Sequence, residues 1–366
     1  MHVSMTANPL LKLKALGQSI WLDDIRRAWL EDGTLARLIA DDGLAGVTSN
    51  PAIFEKAIAK ARDYDEAIAA LARAGASPPA IYDALTVDDV GRAADLFRPL
   101  HERTGGADGF VSLEVSPHLA YDTRNTVAEA HRLWERLDRP NVMIKVPATR
   151  PGLQAIRKLI ADGVNVNATL LFSVARYREV VEAFMAGLEQ RAREGKSVDR
   201  MASVASFFLS RIDTLVDRQL DEIGTADAAA LRGQAAVACA RLACQHYREE
   251  WRERARWRAL AGRGAHPQRL LWASTSTKDE AYSVLKYVEA LVGPDTVNTL
   301  PPETLAAYRD GGRPALTLEN DLAAARTLPQ RLDALGIDLE AVAEALEREG
   351  VRKFIEPYDV LLHVLA

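Results

Sequence analysis

The chain is poor in cysteine, in long apolar runs and in net positive charge, and each shortage removes a class of explanation. Its 366 residues include two cysteines, Cys239 and Cys244. Five positions apart on an expected helix, they lie badly for a bridge and do not match zinc-ligand spacing, which excludes a disulfide scaffold or a zinc module. A reducing compartment follows as the expected setting. No run approaches the ~20 apolar residues of a membrane span. The opening MHVSMTANPLLKLKALGQ has no apolar core of signal-peptide length, so a cytoplasmic chain without a membrane partner is expected. The net charge of −5, with a pI near 5.9, argues against nucleic acid as the main partner. No glycine-rich fingerprint follows the first strand, which speaks against a dinucleotide-binding sheet. No set of His, Cys or Asp recurs at ligand spacing, so no metal is called for.

What is present is a packed, patterned chain, 48% hydrophobic and 27% charged, as expected of a folded globule. Short apolar segments alternate with amphipathic ones. Strands are expected at 19–23, 46–51, 110–115, 142–146, 164–171, within 202–208, at 269–275 and at 295–300. Helices are expected between them: one following Asp24, then 52–71, 78–101, 118–137, 153–163, 174–193, most of 213–260, and 278–291. Three more close the chain at 319–335, 338–349 and 357–364. Eight strand–helix units in a chain of this length fit a (β/α)8 TIM barrel of class α/β. Extra helices around 226–260 and 315–366 would decorate it. No linker-like segment divides the chain, so 1–366 reads as a single domain.

The segment NVMIKVPAT, 141–149, places Lys145 in the middle of an apolar strand closed by Pro140 and Pro147. Lysine is almost never buried in a core without a reason. Burial works against the charged ammonium, and a free amine attacks ketones and aldehydes to form a Schiff base. The structural alternative is a core lysine paired with a carboxylate, or one reaching out at the strand end.

Other polar residues fall in or just past the apolar strands: Asp23, Asn50, Glu114, Asn167, Thr169 and Ser206. A barrel gathers such residues at the C-terminal ends of its strands. Each has a structural reading taken singly: Asn50 before proline as a turn residue, Thr169 as an ordinary strand residue, Asp23 as a helix cap. Together they match Schiff-base chemistry. The carbinolamine must lose water, which needs a proton shuttle such as Glu114, with Thr169 holding the water. A second carboxylate, Asp23, is placed to take a hydroxyl proton so that a carbon–carbon bond breaks. Asn50, Asn167 and Ser206 would hold substrate hydroxyls.

The motifs GVTSNPAIF (46–54), VSLEVSPHLAYDT (111–123), MIKVPAT (143–149) followed by GLQAI, VNATLLFSVARY (166–177) and WASTSTKD (272–279) resemble the transaldolases. The resemblance is dense from about Gly17 to Tyr177 and looser to the C-terminus. It implies a (β/α)8 barrel that uses a lysine Schiff base and no cofactor. Such an enzyme moves a dihydroxyacetone unit from sedoheptulose 7-phosphate or fructose 6-phosphate to glyceraldehyde 3-phosphate or erythrose 4-phosphate in the pentose phosphate pathway. By resemblance the Schiff-base lysine is Lys145, the water-linked glutamate Glu114, and the aldol acid/base Asp23. Asp24 remains a rival, because alternation alone does not say which side of the first strand faces in.

The family's two phosphate-binding arginines are matched only in part. Arg211, in SFFLSR, fits the first. The second, expected just after the seventh strand, is not matched at Ser274-Thr275-Ser276; Ser274 is kept as a candidate substrate contact, and Lys278 would supply the charge as a point rather than a fork. Sugar phosphates are the expected partners of a monomer or homodimer. The same barrel hosts fructose 6-phosphate aldolase-like lyases, and an inactive sugar-phosphate-binding scaffold is the alternative of another class. The Arg/Trp-rich stretch 251–269 reads as a solvated helix whose arginines cover apolar surface rather than as an anion patch.

Overall fold

Eight short segments, buried almost throughout, form strands: β1 (Gln18–Leu22), β2 (Gly46–Val47), β3 (Phe110–Glu114), β4 (Val142–Pro147), β5 (Val166–Leu171), β6 (Ser203–Phe208), β7 (Arg269–Ala273) and β8 (Thr296–Leu300). They are seen in a computed structural model that describes residues 8–366. Each strand pairs in parallel with the next, and β8 closes onto β1. Helices cover the outer face, so the strands are covered on both sides and read as nearly continuous apolar runs. The result is the (β/α)8 barrel expected from the alternation. No helix among the described residues is long and apolar enough to cross a membrane.

Register decides which side chains fill the barrel. Trp21 stands opposite Gly46 on one side and Thr299 on the other, and Gly46 stands opposite Phe110. Trp21 is fully buried, and its ring centroid lies 6.3 Å from that of Phe110. A Cβ at Gly46 would fall 2.6 Å from Trp21 ring carbons and 2.7 Å from the Phe110 carbonyl oxygen, so glycine is what lets the indole occupy the barrel interior. One layer below, Arg269 donates to Ser19 Oγ and Asp108 Oδ1, both at 2.9 Å, and closes the N-terminal end. One layer above Trp21, on the same side of the strand, comes Asp23.

The helices differ from expectation in instructive places. The helix after β1 is split at Asp32-Gly33 into Arg27–Glu31 and Thr34–Asp41, with Gly33 at φ 76°. The helix expected over 52–71 is two, Pro51–Lys60 and Asp65–Arg73. The helix expected over 278–291 is confined to Lys286–Ala290, because Asp279 and Ser283 side chains accept from the backbone N–H groups of Ala281 and Leu285 and hold the preceding segment in turns. Pro301-Pro302 stops β8 but also starts a helix, Pro302–Gly311, as proline at a first helical position does. The segments 338–349 and 357–364 are one helix, Leu339–Val364, running through Pro357.

This C-terminal helix lies against the barrel mouth. Arg176, after β5, donates to Glu347 at 2.8 Å, and His118, after β3, meets Asp359 at 2.7 Å. In the Arg/Trp-rich stretch, Trp251 and Trp257 are buried with ring centroids 4.6 Å apart. Arg254 pairs with Glu250, Arg256 with Glu182 and Glu189, and Arg269 with Asp108. The Arg252 side chain lies outside the described residues.

Candidate active site

Lys145 is central in β4, in register with Glu114 of β3 and Asn167 of β5. Neighbours in register on parallel strands point to the same side, so all three enter the barrel. Lys145 is 3% exposed and Glu114 4%. Nζ lies 3.2 Å from Glu114 Oε2 and donates to the Ser49 carbonyl at 3.1 Å. Glu114 Oε1 is buried with no hydrogen-bond partner among the described residues, and the same holds for the hydroxyl of Thr169. Burial pushes the Glu114 carboxyl up to about 7, against the pull of Lys145, with Asp23 adding to the rise. A carboxyl so placed is poised to give and take protons near neutrality.

Asp23 and Asp24 part company. Thr48 donates to Asp23 Oδ1 at 2.7 Å, and its oxygen is also 2.7 Å from the Thr299 hydroxyl. Burial raises the Asp23 carboxyl above its usual range, against the opposing effects of Lys145 and Thr48. Asp24 instead accepts from Arg26 Nε and Nη2 at 3.2 and 2.9 Å, outside the barrel. The alternation that left the question open is resolved by Trp21, whose ring fixes the inward side.

A cavity of about 240 Å³ opens at the C-terminal ends of the strands. Asp23, Asn50, Lys145, Ser206, Arg211, Ser274 and Lys278 line it, and so do Thr48, Thr299, Glu303 and Phe354. Asn50 Oδ1 caps the helix Pro51–Lys60 by accepting from Ile53 N at 3.0 Å, so a structural role engages its amide oxygen. Asn167 Nδ2 donates to Ser112 Oγ at 3.1 Å, and its Oδ1 accepts from Ser206 Oγ at 2.7 Å. It therefore orients Ser206 rather than standing among the lining residues. Thr169 follows one layer above Asn167, just before Leu170, whose φ of 61° accompanies a register shift between β5 and β6.

The far side of the cavity is cationic. Arg211 projects from the start of the helix Ser210–Ile223, with its guanidinium carbon 5.5 Å from the Phe208 ring centroid. Its Nη1 is buried without an acceptor among the described residues. Burial lowers its proton affinity, offset in part by Glu349 and Asp23. A buried guanidinium nitrogen with no acceptor is a donor suited to an anion. Lys278 donates to Ser276 Oγ at 2.7 Å, and burial together with the like charges of Arg211 and Lys353 pulls its ammonium below the usual range. Ser274, at φ 54°, shares a hydroxyl contact of 2.8 Å with Ser210. Among the described residues no group of three or more His, Cys, Asp or Glu is placed to hold a metal ion.

Thr48, Thr299, Glu303 and Phe354 are among the lining residues that escaped the reading of the sequence. Thr48 carried a usable signal, since it is two residues past Gly46 on the inward side of β2. Glu303 follows the end of β8, where barrel sites gather, behind a proline pair that read only as a stop. Thr299 sits inside an ordinary strand pattern. Phe354 had no local signal at all. It comes from the C-terminal helix, and its ring centroid stands 5.5 Å from Lys145 Nζ.

Residues 20–365 match the model of the transaldolase/fructose-6-phosphate aldolase family. The chain is 50% identical over 347 residues to a transaldolase of Thiobacillus denitrificans, covering 95% of this chain and 96% of that relative. It is 47% identical over 361 residues to a transaldolase of Frankia alni, covering 98% and 97%. A transaldolase of Thermobifida fusca is 49% identical over 360 residues, covering 98% of both.

Proposed function

The chain belongs to the transaldolase/fructose-6-phosphate aldolase family, and from that premise we propose how its barrel mouth moves a dihydroxyacetone unit from a ketose phosphate to an aldose phosphate, the transaldolase reaction of the pentose phosphate pathway. The observation that carries the assignment of roles is the buried Lys145 Nζ, 3.2 Å from Glu114, in a cavity that also holds Asp23.

Lys145 Nζ adds to the C2 carbonyl of sedoheptulose 7-phosphate or fructose 6-phosphate to give a carbinolamine. Glu114 passes its proton to the departing hydroxyl, water leaves, and the iminium forms, with Thr169 holding the water. Asp23, oriented by Thr48, then takes the proton of the C4 hydroxyl. The C3–C4 electron pair flows into the iminium, so an aldose phosphate departs and an enamine stays on Lys145. Phe354 covers this enamine and keeps water from it. An acceptor aldose phosphate is attacked through the enamine carbon, Asp23 returns its proton to the new alkoxide, and water readmitted through Glu114 frees the product. Arg211 holds the phosphate, with Lys278 and Ser274 beside it. Asn50 and Ser206 hold substrate hydroxyls, and Asn167 acts through Ser206. We place this work in the cytoplasm, in a monomer or homodimer.

Borohydride reduction in the presence of fructose 6-phosphate tests the assignment. A covalent adduct mapped to Lys145 by mass spectrometry, and absent in Lys145→Ala, is the expected result. An adduct on another lysine, or none, overturns it. Free dihydroxyacetone released at a comparable rate without acceptor would make the enzyme a lyase instead.

A further inference from the structure

We propose that Lys353, on the C-terminal helix, is a third cation of the phosphate site with Arg211 and Lys278, and that a bound sugar phosphate thereby clamps this helix over the barrel mouth. The inference deepens the reading above and rests on it.

One face of the helix meets the site. Gly350 and Phe354 stand one turn apart on it, with Lys353 beside Phe354 and three residues past Gly350. A Cβ at Gly350 would lie 3.5 Å from Arg211 Nη1 and 3.0 Å from Leu170 Cδ2, so the helix backbone closes directly onto the guanidinium. The Phe354 ring centroid is 6.0 Å from the Arg211 guanidinium carbon and 5.5 Å from Lys145 Nζ. Lys353 is ion-paired with Glu349, one turn back, and Glu349 also acts on Arg211. Across the mouth, Lys278 senses the charges of both Arg211 and Lys353.

Arg211 and Lys278 line the cavity, and Lys353 rises from the helix face that Gly350 and Phe354 set against Arg211, whose Nη1 has no acceptor among the described residues. A phosphate dianion bound there would draw all three cations. Lys353 is half-exposed on a flexible stem and changes partner from Glu349 to phosphate by rotamer alone. Binding and helix docking are then reciprocal. A phosphate that holds the helix down is itself held more tightly by a docked helix.

The test compares wild type with Lys353→Met, Lys353→Arg and Glu349→Gln, using inorganic phosphate as a competitive inhibitor and fructose 6-phosphate as donor. In Lys353→Met the inhibition constant for phosphate and the KM for fructose 6-phosphate should each rise on the order of tenfold, with kcat little changed, as loss of one charge-assisted contact predicts. Lys353→Arg should restore both. Glu349→Gln, which releases Lys353 and keeps the helix, should tighten phosphate binding. Hydrogen exchange across 339–364 should slow on adding phosphate to wild type but not to Lys353→Met. Unchanged phosphate inhibition in both Lys353→Met and Glu349→Gln would overturn the proposal. Borohydride trapping with unphosphorylated dihydroxyacetone separates the two levels. If wild type and Lys353→Met both trap on Lys145 while phosphate inhibition does not move, only the clamp fails. If wild type does not trap, the Schiff-base reading fails with it.

Discussion

Replacing Glu114 by Gln preserves the volume of the side chain and removes its ionisation, which makes it the sharpest probe of the site. The wild-type carboxyl moves from 4.5 to about 7 on burial beside Lys145. That difference, 7 − 4.5, corresponds to about 3 kcal/mol at ~1.4 kcal/mol per tenfold. The folded value lies above the unfolded one, so the folded protein holds this proton more tightly. The resulting stabilisation is complete below pH 4.5 and is lost as pH rises through about 7. In Glu114→Gln that loss disappears, and the pH dependence of unfolding by urea between pH 5 and 8 should flatten by up to about 3 kcal/mol. Lys145 loses its counter-charge in the same variant, so the slope rather than the level is diagnostic. Kinetically, removal of the shuttle should lower kcat by roughly 10²–10⁴, as for general acid–base groups elsewhere, and erase the ionisation near 7 from the profile of kcat/KM. Steady-state rates and urea midpoints at matched pH values supply the measurement. A variant whose kcat stays within tenfold of wild type, with the inflection near 7 intact, would refute the role given to Glu114.

The two adjacent aspartates should behave oppositely. Asp23→Asn is expected to trap substrate on Lys145 yet fail to cleave it, whereas Asp24→Asn loses only a partly exposed pair with Arg26, about 1 kcal/mol or less, and keeps its turnover; equal rates of carbon–carbon cleavage in the two would contradict this. Phe354→Ala should cost about 3–5 kcal/mol of stability and raise the yield of free dihydroxyacetone in the absence of acceptor, measured by enzymatic assay of the product; an unchanged transfer-to-release ratio counts against water exclusion by this ring. Gly46→Ala drives a methyl into Trp21 and the Phe110 carbonyl and should reduce soluble expression sharply. Normal yield and melting temperature would show that the indole does not need that space.

Much of the barrel and part of the mouth were legible because both are written in strand alternation. Lys145 in VMIKV and Glu114 in FVSLE each break an apolar strand, and a buried charge in such a place is conspicuous. Asn167 broke its strand in the same way and stands in register with Lys145, yet its amide is tied to Ser112 and Ser206. Alternation tells which side a residue faces, not which partners its atoms find there. The choice of which aspartate faces in needed one fact from the neighbouring strand, the glycine at 46 that admits Trp21 on the inward side.

The cover of the site was not legible, and the reason is physical. Pro357 removes the N–H that would pair with the Lys353 carbonyl, so local rules break the C-terminal segment at that point. The helix nevertheless continues from Leu339 to Val364, with Leu346, Phe354, Tyr358 and Leu361 buried against the rest of the molecule. Burial of four such side chains outweighs one missing hydrogen bond, at about 1.5–3 kcal/mol per large apolar side chain against roughly 3 kcal/mol for the interior proline. Continuity of the helix is therefore a product of docking, and the face it docks is the one that sets Phe354 over Lys145 and Gly350 against Arg211. A segment whose own structure depends on the barrel mouth beneath it is the element most able to respond to what the mouth contains.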